Sequence, residues 1–128
     1  MTTMIRLFFV GLFAMGSQAA FAGSAQELLS ACRPIVRADV TGEYVRFPQD
    51  YQTGTCWGAF GVIQKVIVHV DDTRRPIYGV CAPSNSTLTQ LIAIFVAYAE
   101  KNPQRLHEEF FDVALESLQN AFPCKGRK

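Results

Sequence analysis

The feature that most constrains this chain is the stretch from Cys81 to Cys124, where two apolar-striped segments meet at Asn102-Pro103 and a cysteine flanks each outer end. If both segments are helices lying antiparallel, the entry of the first sits beside the exit of the second. The two cysteines then meet, and that geometry asks for a disulfide. A disulfide in turn asks for an oxidising compartment.

The N-terminus supplies an address. Met1–Arg6 carries one positive charge, Leu7–Gly16 is an apolar run of about ten residues, and Ala20-Phe21-Ala22 is a small-x-small cleavage site, which together read as a secretory signal peptide over residues 1–22. The run is too short to span a bilayer. Over the whole chain 12 Lys and Arg face 11 Asp and Glu, and removing residues 1–22 takes away only Arg6, so the remaining 106 residues are formally neutral. Neutrality excludes an electrostatic bias toward nucleic acid or an anionic membrane. No second run reaches membrane-spanning length, since Leu88–Ala99 is interrupted by Thr89 and Gln90 and ends at Glu100. The exported chain is expected to be soluble, in the periplasm or outside the cell.

Residues 23–128 show no repeat, no low-complexity stretch and no Gly/Ser linker. One domain is expected: an all-α, disulfide-stapled bundle of about four main helices arranged as two antiparallel hairpins. The first helix opens on the capping box Ser24-Ala25-Gln26-Glu27, carries Leu28, Leu29, Cys32 and Ile35, and is expected to kink or end early at Pro34. A loop of about fourteen residues, Ala38 to Tyr51, follows. The second helix is expected from Gln52 or Thr53 to Val70, with Cys56, Phe60, Ile63, Ile67 and Val70 on one face. The alternation in Val66–Val70 would also suit a strand. Gly58 and Gly61 are expected to let another helix approach closely, the plainer alternative being that each merely weakens the helix.

Asp71–Ser86, broken by Pro76, Gly79 and Pro83, reads as irregular. The third helix opens on the capping box Thr87-Leu88-Thr89-Gln90 and is apolar nearly all round, the pattern of a core or interface helix. Asn102-Pro103 reads as a helix restart. The fourth helix then carries Leu106, Phe110, Phe111, Ala114, Leu115, Leu118 and Phe122 on one side, with Glu108, Glu109, Asp112, Glu116 and Gln119 opposite, and Pro123 ends it. Cys32 lies at the end of the first helix and Cys56 at the start of the second. In antiparallel hairpins these helix ends meet, at the connected end of the first pair and the open end of the second, which predicts Cys32 with Cys56 and Cys81 with Cys124. A closed loop of the latter size is worth about 4 kcal/mol in the chain-entropy account of disulfides.

Catalysis finds little support. His69 and His107 are the only histidines, the cysteines are expected to be bonded, and neither Ser-His-Asp nor Cys-His spacing is present. His107, Glu108 and Glu109 are adjacent, and adjacent helical residues diverge instead of converging on one ion; they read as a solvated helix start. His69 near Asp71 and Asp72 reads as a helix end. Asn85-Ser86-Thr87 fits a glycosylation sequon but reads better as a loop and cap. Gly42, Gly54, Gly58 and Gly61 form no phosphate loop. No enzyme, metal or cofactor is expected.

The ordered set Cys81-Ala82-Pro83, Thr87-Leu88-Thr89-Gln90-Leu91, Tyr98, Asn102-Pro103-Gln104-Arg105-Leu106-His107, Ala114-Leu115 and Ala121-Phe122-Pro123-Cys124 resembles the Rap and Tai immunity proteins of type VI secretion. Cys56-Trp57-Gly58-Ala59-Phe60 resembles that family's earlier Cys-x-Gly motif. The resemblance spans roughly residues 56–124. The chain departs from it at Asn102, where the family often has His, at Gln104, where it often has Glu, and in the glycine and aromatic order after Cys56. The matching positions are mostly caps, turns, cysteines and core residues, which mark a fold more than a partner.

The resemblance implies a small helical periplasmic protein, often a homodimer, that binds a cognate peptidoglycan amidase effector and covers or plugs its active-site cleft. Two segments are candidates for the plug: Asp71–Ser86, with Asp72, Arg74, Arg75 and Tyr78, and Glu43–Tyr51, with Tyr44, Phe47 and Tyr51. Tyr and Arg are over-represented among residues that dominate binding energy. The plainer alternative is solvated loop charges and aromatics tucked onto the helices. A different class remains open, an acid-stress chaperone of the HdeA kind, in which neutralised carboxylates expose apolar surface; so does a structural adaptor of the envelope.

Overall fold

The computed structural model describes residues 23–41 and 44–125, and of residues 39–45 only the backbone. The leader expected over residues 1–22 lies outside the described residues, as do Gly42, Glu43 and the last three residues. Four helices carry the fold: α1 (Ala25–Val36), α2 (Tyr51–Val66), α3 (Leu88–Lys101) and α4 (Phe110–Ala121). The fold is the expected all-α bundle, and its disulfides are the expected pairs, Cys32–Cys56 and Cys81–Cys124, with Cα atoms 5.2 and 5.0 Å apart.

Both capping boxes form. Ser24 Oγ accepts from the Glu27 N–H at 3.3 Å while the Glu27 carboxylate accepts from the Ser24 N–H at 3.0 Å. Thr87 and Gln90 exchange the same two bonds at 3.2 and 2.8 Å. Each box pairs two N–H groups that a helix start otherwise leaves without partners. α1 does not stop at Pro34 but continues to Val36. α2 starts earlier than expected, because Asp50 caps it by accepting from the Thr53 N–H at 2.8 Å. Those backbone bonds, Thr53 foremost, hold the Asp50 carboxyl below the usual range.

α2 also ends earlier than expected, at Val66, so His69 lies beyond the helix end instead of at it. Val68 and Val70 leave the helix, in keeping with the β-branched character of that run. The expected loop at 38–51 contains a two-stranded antiparallel ribbon, β1 (Asp39–Thr41) and β2 (Tyr44–Arg46), with Val40 opposite Val45.

Buried side chains from all four helices make one core. Its aromatic centre is Phe60 of α2, Phe95 of α3 and Phe110 of α4, whose ring centroids lie 5.3–5.5 Å apart in tilted and edge-on pairs. Such pairs add about 0.5–1.5 kcal/mol each beyond burial. α3 packs against each of the other three helices, and its stripe Leu91, Ile92, Phe95, Val96 and Ala99 is buried. The nearly uniform apolar character of α3 is thereby explained.

The fourth helix differs from expectation at its start. Asn102 ends α3, its side chain donating to the Tyr98 carbonyl at 2.8 Å, and Pro103–Arg105 form a single 3₁₀ turn. Regular α4 begins only at Phe110. The chain between them serves α1: Ala25 and Gln26 donate to the Glu108 and Leu106 carbonyls, both at 2.9 Å, and Phe110 donates to the Gly23 carbonyl at 3.0 Å. Carbonyls committed to a neighbouring helix start are not free for their own i+4 ladder, so the helix breaks there.

Close packing at Gly58 and Gly61 is not found. A Cβ built at Gly54, Gly58 or Gly61 would meet nothing within 4 Å. Gly54 and Gly58 instead line an open apolar groove between α1 and α2, with Leu28, Ala31, Val62 and Phe111.

Candidate functional site

The segment after α2 folds back on itself as a preformed tip, residues 69–77. His69 and Ile77 are joined by the Ile77 N–H donating to the His69 carbonyl at 3.0 Å, and Val70 pairs with Pro76 in an antiparallel bridge. Inside that pair, the Asp71 N–H donates to the Arg75 carbonyl at 2.8 Å and the Arg74 N–H donates to the Asp71 carbonyl at 2.9 Å. One carboxylate oxygen organises the turn: Asp71 Oδ1 accepts from the Thr73 N–H at 2.8 Å, the Thr73 hydroxyl at 2.6 Å and the Arg75 N–H at 2.9 Å. The Thr73 hydroxyl in turn accepts from Arg75 Nε at 2.8 Å. These bonds, the Thr73 hydroxyl first, hold the Asp71 carboxyl below its usual range and keep it ionised.

Arg74 sits at φ 58°, the one non-glycine residue with positive φ among those described. The left-handed region costs an L-residue about 1–2 kcal/mol, so the Asp71 bonds must over-determine this backbone. Around the tip stand large apolar side chains facing solvent: Val68 is 67% exposed, Val70 51% and Ile77 59%. The turn thus presents charged residues at its apex and exposed valines and isoleucine at its base.

Of the expected site residues, Asp72, Arg74 and Arg75 lie on this tip and are exposed. Tyr78 lies at its base, half-buried, its ring edge-on to Phe111 at 6.0 Å and its carbonyl accepting from Gln119 Nε2 at 2.8 Å. The other candidate segment is elsewhere. Phe47 stacks on Trp57 at 5.2 Å and packs against the core, while Tyr51, 88% exposed, is the first residue of α2. Tyr44 is in β2, and its side chain is outside the description. Since α2 is 16 residues long, about 24 Å separates its two ends. The two segments do not form one site.

Asp71 and Thr73, which build the tip, are not among the expected site residues, and Val68 and Val70, expected within the second helix, stand beyond its end. An Asp two residues before a Thr, followed by Arg-Arg-Pro, is an Asx-turn signal that could have found them.

A second polar cluster joins α3, the 3₁₀ turn and α4. Arg105 pairs with Glu108 at 2.6 Å and with Glu116, and it donates to the Tyr98 hydroxyl at 2.9 Å, which donates to Glu116 at 2.7 Å. Arg105 pushes both carboxyls below their usual range, and the carboxylates push the guanidinium up, Glu108 most. Burial, then Glu116, raises the Tyr98 phenol. Every charge here has a partner, which is the arrangement of a clamp. Among the described residues no three His, Cys, Asp or Glu are placed to hold a metal, no cysteine is free, and no helix is long and apolar enough to cross a membrane.

Fold and site thus define a class: a disulfide-stapled helical bundle that displays a preformed loop. Residues 24–124 match the family model of the Rap1a immunity proteins, and the chain belongs to that family. No curated protein and no solved structure matches it detectably. Immunity proteins act by binding an effector, and the family is not usually catalytic.

Proposed function

We propose that this chain is a periplasmic immunity protein that binds a peptidoglycan amidase delivered by type VI secretion and inhibits it by laying the 69–77 tip in the active-site cleft. The carrying observation is the tip itself, ordered by Asp71 within the single chain and ringed by exposed Val68, Val70 and Ile77. A loop already held in one shape loses little entropy on binding, which raises affinity without new contacts. An enzyme that cuts a cross-linked wall needs an open groove, and a rigid protrusion seated there excludes substrate without any chemistry. Asp72, Arg74 and Arg75 are the polar contacts in this reading. Tyr78 holds the base of the tip through Phe111, and Phe47, Tyr44 and Tyr51 lie outside the contact.

The test is periplasmic co-expression with a candidate amidase, followed by pull-down and a lysis assay. The wild type should retain the amidase and prevent lysis, and the double change Arg74→Glu with Ile77→Asp should weaken retention about tenfold or more. Undiminished retention by that variant overturns the tip as the inhibitory element. Export is tested alongside, since the periplasmic protein should begin at Gly23.

The reading includes a homodimer. The apolar groove flanked by Gly58 and Val62 of α2 and Phe111 of α4 is uncovered in the single chain and supports it. Sedimentation equilibrium should give twice the chain mass, and Val62→Glu should give the single chain.

A further inference from the structure

The two disulfides differ in access. Cys32 and Cys56 are both fully buried in the core, whereas Cys81 is exposed and Cys124 half-buried. Thiol–disulfide exchange requires a thiolate to reach a sulfur, so access alone separates the two pairs in rate. The accessible pair also sits where the tip is fastened to the body. Leaving Ile77, the chain runs through Tyr78 on Phe111 and Gln119, then buried Val80 bridged to Pro123, then Cys81, whose N–H donates to the Phe122 carbonyl at 2.9 Å. The partners of that return leg, Phe122 and Pro123, directly follow the last turn of α4. Beyond α4 it is Cys124 that ties them covalently to the return leg.

We propose that Cys81–Cys124 is a reducible latch on the tip, opened by a dithiol while Cys32–Cys56 stays closed. A thiolate of the dithiol attacks Cys81 Sγ, and the bond to Cys124 Sγ breaks with its electron pair leaving on Cys124, which takes up a proton. The second thiol of the reagent then displaces Cys81 and leaves as a disulfide. Two electrons and two protons pass from the dithiol to the pair. With the latch open, only the Val80–Pro123 bridge and the Cys81 N–H bond to Phe122 hold the return leg to the end of α4, and its loosening costs the tip the fixed shape on which inhibition depends. That last consequence rests on the function proposed above; the latch itself does not.

The test needs no amidase. Protein with both disulfides formed is equilibrated with graded dithiothreitol, the free thiols are alkylated, and peptide masses give the open fraction of each pair. Trypsin, added to the same samples, reports on the tip by cutting after Arg74, because the Arg75-Pro76 bond resists it. Cys81–Cys124 should open while Cys32–Cys56 is still closed, cleavage after Arg74 should rise about tenfold because cutting tracks the open population, and the helical circular dichroism should stay unchanged. The double variant Cys81→Ser with Cys124→Ser should be cut at the fast rate without reductant; if it does not fold, the titration of the wild type still decides. Joint opening of both pairs, or an unchanged cleavage rate once Cys81–Cys124 is open, overturns the latch. Failure of the tip as inhibitor would appear separately, in the pull-down of the fully oxidised protein.

Discussion

Asp71 and Gly58 illustrate what a single residue does here. Asp71 converts a charged loop into a fixed turn by receiving three hydrogen bonds on one oxygen. Its neighbour Arg74 keeps a left-handed backbone that glycine would adopt without cost. Arg74→Gly should therefore raise stability slightly, by up to about 1 kcal/mol, while removing a guanidinium from the apex; a rise in thermal midpoint with weaker amidase retention is the expected pair of results. Gly58 is the converse case. With nothing within 4 Å of a Cβ there, Gly58→Ala should stabilise α2 by about 0.5–1 kcal/mol, read as a higher denaturant midpoint at unchanged slope. A loss of stability would show that the site is closed in the assembled protein. Spacing alone could not separate these cases, because a glycine pair reads the same whether another helix fills the gap or solvent does.

At the level of elements, caps and stripes were legible and breaks were not. Ser24-x-x-Glu27 and Thr87-x-x-Gln90 carry their own partners, so local sequence determines them. The start of α4 is decided from a distance, by α1 drawing on the Leu106 and Glu108 carbonyls. The ribbon formed by β1 and β2 falls within the expected loop, although Gly42-Glu43 between Val40-Thr41 and Tyr44-Val45 has the composition of a two-residue hairpin turn. The Arg105 clamp makes a pH prediction. Glu108 and Glu116 have lowered carboxyl values in the folded chain, so each adds stability that is complete above the ordinary glutamate value, about 4.3, and is lost as pH falls through the lowered values. The thermal midpoint should hold down to about pH 5 and fall below it, and Glu116→Gln should flatten that acid limb. Client protection appearing together with acid unfolding would instead favour an acid-stress chaperone.

For the whole molecule, the two staples divide the work. Cys32–Cys56 joins α1 to α2 inside the core, and its removal should cost about 3–4 kcal/mol, a large part of the stability of a domain this size, measured as the shift in denaturant midpoint of the Cys32→Ala, Cys56→Ala variant. The pairing was legible because helix ends place the cysteines; their unequal exposure was not, because it depends on how the core closes over one pair only. The proposed contact site is half legible. Arg-Arg-Pro marks the loop, but its ordering by Asp71 and the exposure of Val68, Val70 and Ile77 arise only once α2 stops at Val66. The first turn of α1 finds partners for Ala25 and Gln26 on Glu108 and Leu106, about eighty residues later in the chain. During synthesis the first turn of α1 therefore gains these two partners only after residues 106–108 have emerged. A polypeptide that cannot finish folding early remains threadable, which is the condition for passing through a narrow channel before it closes on itself.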